Sequence, residues 1–234
     1  MREIVLDTET TGFDPHTGDR LVEIGCVEML NHIPTGEVHH VYINPERDMP
    51  QSAFEVHGLS EEFLSDKPLF KDVAEAFRTF VGEGTLVIHN ASFDMNFLNA
   101  ELKWIGYDAI PDSQVLDTLA LARRKHPAGP NSLDALCSRY GIDNSRRTKH
   151  GALLDAELLA EVYIELIGGK QTALGLMPED EQDAGDLYTG AAKVKKTARA
   201  RPTPLQPRIS AEEEAAHAAF IKGMGEDALW LKTK

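Results

Sequence analysis

The hydrophobic positions along the chain change period several times, and each change marks an element. Residues 3–6 alternate little and are rich in branched aliphatics, as expected of a strand covered on both faces. Similar runs follow at Leu21–Leu30 and Val38–Ile43. Val73, Ala76, Phe77, Phe80 and Val81 then recur at helical spacing, and Gly82 and Gly84 stop the pattern. Leu86-Val87-Ile88 is a short buried strand, and Phe93–Trp104 is a helix with Phe93, Phe97 and Leu98 on one side. Leu116–Arg124 has a weaker helical pattern. Ser132–Tyr140 is a helix capped by Asn131 or Ser132 and closed by Gly141. The strongest helical pattern, Leu153–Ile167, ends at Gly168-Gly169. Strands first, then alternating helices and strands, predict an α/β domain over residues 1–170, a mixed sheet covered by helices.

Beyond residue 170 the pattern dissolves. Glu179–Asp186 carries five acids and no base, and Lys193–Arg208 carries six basic residues, three prolines and no acid. Such blocks bury too little apolar surface to order themselves, so residues 177–208 read as a flexible linker. Helical character returns over Ser210–Trp230, with Glu212–Glu214 behind a Ser cap and then Ala218, Phe220, Ile221 and Trp230. Too short for a domain, an apolar segment behind a linker suits a docking peptide better than a helix folded back on the core, which makes 209–234 a candidate partner-binding tail.

Composition narrows the class. The chain has 234 residues, 42% of them hydrophobic, enough for one sizeable core. No run reaches the roughly 20 consecutive apolar residues of a membrane span. The first residues run straight into a strand, without the apolar region and cleavage site of a signal peptide. The cysteines, Cys26 and Cys137, lie inside apolar patterns and read as buried free thiols in a reducing cytoplasm. Their isolation excludes a paired-thiolate zinc site. The net charge of −14 argues against a protein that grips nucleic acid unaided. Either cations neutralise some of the acids, or another subunit supplies the basic surface.

Three segments carry chemistry. Asp7-Thr8-Glu9 ends the first strand, and strand residues i and i+2 share a face, so two carboxylates stand side by side. They repel unless a cation lies between them, and hard oxygen ligands suit magnesium or manganese. The bland alternative is that one of them caps a turn. His89-Asn90-Ala91-Ser92-Phe93-Asp94 runs from strand into helix; Asn90 or Ser92 can serve as cap, and a first-turn carboxylate at Asp94 also suits the helix dipole. His150-Gly151-Ala152-Leu153-Leu154-Asp155 opens the strongest helix. A histidine there is either structural or, with a carboxylate five residues on, a candidate general base. An imidazole with an ordinary pKa of about 6.5 can take a proton from water near neutrality.

In this order, the three segments resemble the three motifs of the histidine-type DEDD exonucleases, and most nearly the branch of proofreading (epsilon) subunits of bacterial DNA polymerase III. Ala53–Leu59 and Asn131–Cys137 extend the resemblance, which spans the whole chain. It implies a ribonuclease-H-like fold and two-metal 3′→5′ hydrolysis of a terminal phosphodiester, with Mg²⁺ or Mn²⁺ as the ions. Asp7 would bridge both ions, Glu9 and Asp155 would help hold the first, and Asp94 the second. His150 would activate the water. Thr8, Thr10 and Gly12, with Val56, His57 and Leu59, would seat the terminal nucleotide beside Asp7, Glu9 and Asp155, with His89 and Asn90 at the mouth. Ser52 departs from the pattern, standing where relatives often carry a Glu that reaches the terminal 3′-hydroxyl.

The same resemblance implies partners. Gln171-Thr172-Ala173-Leu174-Gly175-Leu176 is similar to a sliding-clamp-binding peptide, in which the Gln hydrogen-bonds and Leu174 and Leu176 fill a pocket. The C-terminal segment would dock on the polymerase alpha subunit, and a small accessory subunit is a further candidate partner. Tethering of this kind raises effective concentration without a tight individual site. Two other functions are compatible with parts of the pattern: a free-standing RNA-processing exonuclease on the same core, and a clamp–polymerase scaffold without catalysis.

Overall fold

The structure, a computed structural model, describes residues 1–169 and 209–224. The chain divides into two units, Met1–Leu176 and Met177–Lys234. In the first unit, β1 (Arg2–Thr10), β2 (Leu21–Leu30), β3 (Ile33–Tyr42), β4 (Thr85–Ile88) and β5 (Val115–Asp117) form one sheet in the order β3-β2-β1-β4-β5. The β1–β2 and β2–β3 pairs are antiparallel, whereas β1–β4 and β4–β5 are parallel. Around it lie α1 (Gln51–His57), α2 (Glu61–Leu64), α3 (Phe70–Val81), α4 (Ala91–Trp104), α5 (Thr118–Lys125), α6 (Leu133–Tyr140) and α7 (Ala152–Ile167). The expected mixed sheet flanked by helices is the observed fold.

The central strand explains how the sheet is covered. Ile4 and Leu6 of β1 join Phe70, Phe77, Phe97 and Leu98 in one core cluster, on the side of α3 and α4. Val5 joins Ala156, Leu159 and Tyr163 of α7 on the other side. Alternation with period two therefore sends Thr8 towards α4 and sends Asp7 and Glu9 towards α7. The approach of α7 depends on Gly25, which pairs with Asp7 across β1 and β2. A Cβ on Gly25 would lie 2.2 Å from the Leu153 amide nitrogen. A side-chain-free position on β2 thus lets the first turn of α7 settle against the sheet beside Asp7.

The structure differs from the sequence expectations in three places. Val115–Asp117 is a strand, so the helical pattern at Leu116–Arg124 begins only at Thr118. Strand β3 starts at Ile33, five residues before the apolar run suggested; it is an edge strand whose first residues are exposed, so backbone pairing with β2 rather than burial holds them. Helix α1, over Gln51–His57, has no hydrophobic period to announce it and buries only His57.

In the second unit, α8 (Ala211–Gly223) opens with a capping box. The Ser210 hydroxyl accepts from the Glu213 amide at 3.2 Å, and the Glu213 carboxylate accepts from the Ser210 amide at 2.8 Å. Phe220 is exposed. The segments Gln171–Leu176 and 177–208, and Trp230, lie outside the described residues. Among the described residues, no helix is long and apolar enough to cross a membrane.

Candidate active site

Leu6 of β1 pairs with Ile88, the last residue of β4, so the Asp7–Glu9 segment projects past the end of its parallel neighbour. Into that gap runs the β4–α4 turn, where Asn90 takes a left-handed backbone (φ 64°). Its side chain makes no capping bond; its amide donates instead to Asp117 Oδ1 at 3.1 Å. The turn delivers Asp94 beneath β1, where it accepts a 2.7 Å hydrogen bond from the Thr8 hydroxyl. From the other side α7 delivers Asp155. Asp94 and Asp155 are both buried, as is Glu9.

Burial, together with the neighbouring acids, dominates the electrostatics. Desolvation and the charges of Asp94, Glu9 and Asp155 hold Asp7 well above the usual carboxylate range. Desolvation and the charges of Asp155, Glu23 and Asp94 push Glu9 up to about 8, and burial pushes Asp94 up to about 7 despite the hydroxyl of Thr8. Glu9 Oε1 is buried with no hydrogen-bond partner. Oxygens in this state are under-satisfied acceptors facing like charges, and a divalent cation satisfies both conditions at once. The donor set therefore fits a hard metal ion. Ligand atoms of Glu9, His150 and Asp155 lie within 4.8 Å of one another. The charge of Asp94 acts on Glu9, and those of Asp94, Glu9 and Asp155 act on Asp7.

Asp155 behaves differently. Burial alone would raise it, but the contacts from His150 and Arg147 outweigh burial and hold it below the usual range. The Arg147 guanidinium grips both of its oxygens, Nε to Oδ1 at 2.5 Å and Nη2 to Oδ2 at 2.6 Å. The segment carrying His150 is stapled to α1: the His150 amide donates to Val56 O at 3.1 Å, and Lys149 Nζ donates to Phe54 O and Glu55 O.

A cavity of about 250 Å³ opens over these groups. Asp7, Thr8, Glu9, Thr10, Gly12, Ser52, Val56, His57, His89, Asn90, Asp94 and His150 line it; Leu59 and Asp155 do not reach its wall. Leu59 acts from behind, its amide donating to His57 Nδ1 at 3.0 Å. That bond leaves Nε2 to carry the proton of neutral His57, and Nε2 is buried without a partner. Burial also pulls His57 and His89 below the ordinary imidazole value, so both are neutral near pH 7. His89 Nδ1 is tied to the Thr118 hydroxyl at 2.9 Å.

Several lining or supporting residues had escaped the sequence reading. Phe13, Ala53 and Phe93 also line the cavity, with Phe13 almost wholly exposed at its rim. Asp19 pins that rim by accepting from the Phe13 and Asp14 amides and from Arg47. A Cβ on Gly12 would strike the Asp19 carboxylate. Arg147 lies in the basic run Arg146–Lys149 just before His150, a pattern that does not itself point to Asp155.

A mixed sheet of this order, with buried acids at the end of its central strand and a histidine beside them, defines a ribonuclease-H-like nuclease. Comparison with known proteins agrees. Residues 4–163 match the RNase_T exonuclease family. The DNA polymerase III subunit epsilon of Rickettsia felis is 53% identical over 227 residues, covering 96% of this chain and 97% of the relative. That of Escherichia coli K12 is 44% identical over 241 residues, covering 98% and 97%. Among solved structures, exonuclease X in complex with 5′-overhanging duplex DNA aligns with a TM-score of 0.55 at 25% identity, covering 70% of this chain and 90% of that one. The nuclease domain of 3′hExo, a DEDDh family member bound to rAMP, aligns at 0.62 and 15% identity, over 71% and 91%. The chain belongs to the exonuclease family and, within it, to the epsilon subunits of DNA polymerase III; it is a 3′→5′ exonuclease.

Proposed function

We propose that this chain is the proofreading subunit of a bacterial replicative polymerase, removing 3′-terminal nucleotides from DNA in the cytoplasm with two divalent ions, Mg²⁺ or Mn²⁺. The observation that carries this reading is the group of buried, mutually repelling carboxylates on one cavity wall, with Glu9 Oε1 unsatisfied. Asp7 would be shared by both ions, Glu9 and Asp155 would hold the first, and Asp94 the second. Such ions stabilise the attacking and the leaving oxygens of an in-line displacement.

The protein's own part is to position groups and move a proton. His150, half exposed and fixed through its amide to Val56, would take the proton of the attacking water. The Thr8–Gly12 backbone, Val56 and His57 would seat the terminal nucleotide, with Leu59 fixing the His57 tautomer. His89 and Asn90 would line the mouth. Ser52 lines the cavity at the first turn of α1, and its short side chain would make the 3′-hydroxyl contact weaker than a Glu would.

For the rest of the chain, the proposal is that Gln171, Leu174 and Leu176 bind the sliding clamp, that 177–208 is a linker, and that 209–234 docks on the polymerase alpha subunit. The capped helix α8 with its exposed Phe220 supports the docking role. The acidic net charge is consistent with partners that supply the DNA grip; a small accessory subunit on the core is a further candidate. A degradation assay on a mismatched DNA 3′ end and on short RNA tests the substrate: rapid loss of the DNA terminus is expected, and a strong preference for RNA would overturn the reading.

A further inference from the structure

The guanidinium of Arg147 already sits on Asp155, one of the acids proposed to hold an ion. Its side chain and that of Asp155 are both nearly buried, at 8% and 3% exposure, and the two form a forked pair through both carboxylate oxygens. The same Nη2 lies 2.9 Å from Nδ1 of His150. A guanidinium has only donors, so Nδ1 of the neutral imidazole accepts from it; Nδ1 also lies 3.4 Å from Asp155 Oδ2, to which it donates only when the ring is protonated. Neutral His150 then carries its proton on Nε2, and both ring nitrogens are engaged: one lone pair is given to Arg147 and the other nitrogen is protonated. In this arrangement His150 has no free lone pair with which to take a proton from water, and Asp155 has no oxygen clear of the guanidinium.

Arg147 also has somewhere to remain when it lets go. Its Nη1 already contacts Asp134 Oδ2 at 2.9 Å, at the surface of α6. Asp134 is itself held by Asn144, whose side-chain amide donates to Oδ1 at 2.9 Å. The segment carrying Arg147 is not helical, so the side chain can turn towards Asp134 without disturbing α7. A monovalent guanidinium and a divalent ion on one buried carboxylate repel each other.

We propose that Arg147 is an internal counter-cation that yields Asp155 to the divalent ion, and that its withdrawal frees Nδ1 of His150. One side chain thereby couples ion loading to the availability of the base: the residue positions both groups and need not touch the substrate. Without the ion, Arg147 keeps the carboxylate neutralised and the imidazole engaged. This inference rests on the reading that Asp155 is an ion ligand.

The test is calorimetric titration of the full chain with Mn²⁺, using wild type, Arg147→Met and Arg147→Lys. Arg147→Met removes the competing charge at similar length and should bind the first ion about tenfold more tightly, within the usual range for coupled sites. Arg147→Lys keeps the charge and should stay near wild type. A folded Arg147→Met that binds Mn²⁺ no more tightly than wild type overturns the proposal while leaving Asp155 a ligand. A wild-type chain that binds no Mn²⁺ overturns the metal reading along with it. Should Arg147→Met fail to fold, the Arg147 Nε–H resonance of the wild-type chain decides. It should move on titration with Mg²⁺, and an unchanged resonance at saturation overturns the proposal.

Discussion

Replacing Glu9 by Gln should stabilise the metal-free protein while disabling it. Glu9 rises from 4.5 to about 8 because burial and the charges of Asp155, Glu23 and Asp94 disfavour its anion. A carboxyl whose folded pKa is raised contributes stability that is complete below its unfolded value and is lost as pH climbs through the folded one. That contribution is therefore lost progressively from about pH 4.5, where the unfolded carboxyl ionises, to about pH 8, where the folded one does. The full shift corresponds to about 5 kcal/mol. Glu9 titrates together with its acidic neighbours, so its shift is not its own alone, and about 2 kcal/mol is the expected net benefit of the amide at pH 8. For a unit of this size that is a rise of about 4–8 °C in Tm. The assay is thermal unfolding of both proteins in EDTA at pH 5 and pH 8, then with Mn²⁺. Glu9→Gln should melt higher at pH 8, the gap should close towards pH 5, and Mn²⁺ should raise the wild type more than the variant. A variant that melts lower at pH 8 in EDTA, or a gap that ignores pH, would refute the account of the acid cluster.

His150→Ala should lower kcat by about 10²–10⁴-fold, while calorimetry still registers Mn²⁺ binding; near-normal turnover would assign the proton to another group. Divalent-ion affinity should rise with pH through about 7–8, because Asp94 and Glu9 must shed protons to ligate; affinity flat from pH 6 to 9 would contradict the raised carboxyls. Gly25→Ala forces a Cβ against the Ala152–Leu153 backbone and should cost about 1–3 kcal/mol along with weaker Mn²⁺ binding, read by denaturant unfolding and calorimetry; a neutral substitution would show that α7 does not need this close approach. Deleting 209–234 should abolish capture of the polymerase subunit in a pull-down and spare nuclease activity; retained capture would move docking onto the core.

The sheet and the long helices were legible because burial leaves a period: Ile4, Val5 and Leu6 sit between two helical layers, and α7 buries most of its length. Helix α1 was not legible, since it buries little beyond His57 and is defined by what it brings to the cavity. Strand β5 was hidden because three residues carry too little pattern, and an apolar segment runs on directly into α5. Asp7 and Glu9 could be placed on one face from strand geometry alone. The convergence of Asp94 and Asp155 on them is a tertiary fact, set by the Asn90 turn and the Gly25 contact, and only family resemblance anticipated it. Arg147 lay beyond both routes. Its role depends on a guanidinium reaching eight residues along the chain to a carboxylate, and no local pattern encodes that contact.

The central claim is that the buried acids perform hydrolysis at a DNA 3′ end. Its most direct test is single-turnover excision from a primer–template with a mismatched 3′ terminus, comparing wild type with Asp7→Ala in saturating Mg²⁺. The account predicts stepwise 3′→5′ shortening by the wild type. It predicts a loss of at least about 10³-fold in the folded variant, as for removal of an electrostatic element on which the reaction depends. Comparable shortening by Asp7→Ala would contradict it.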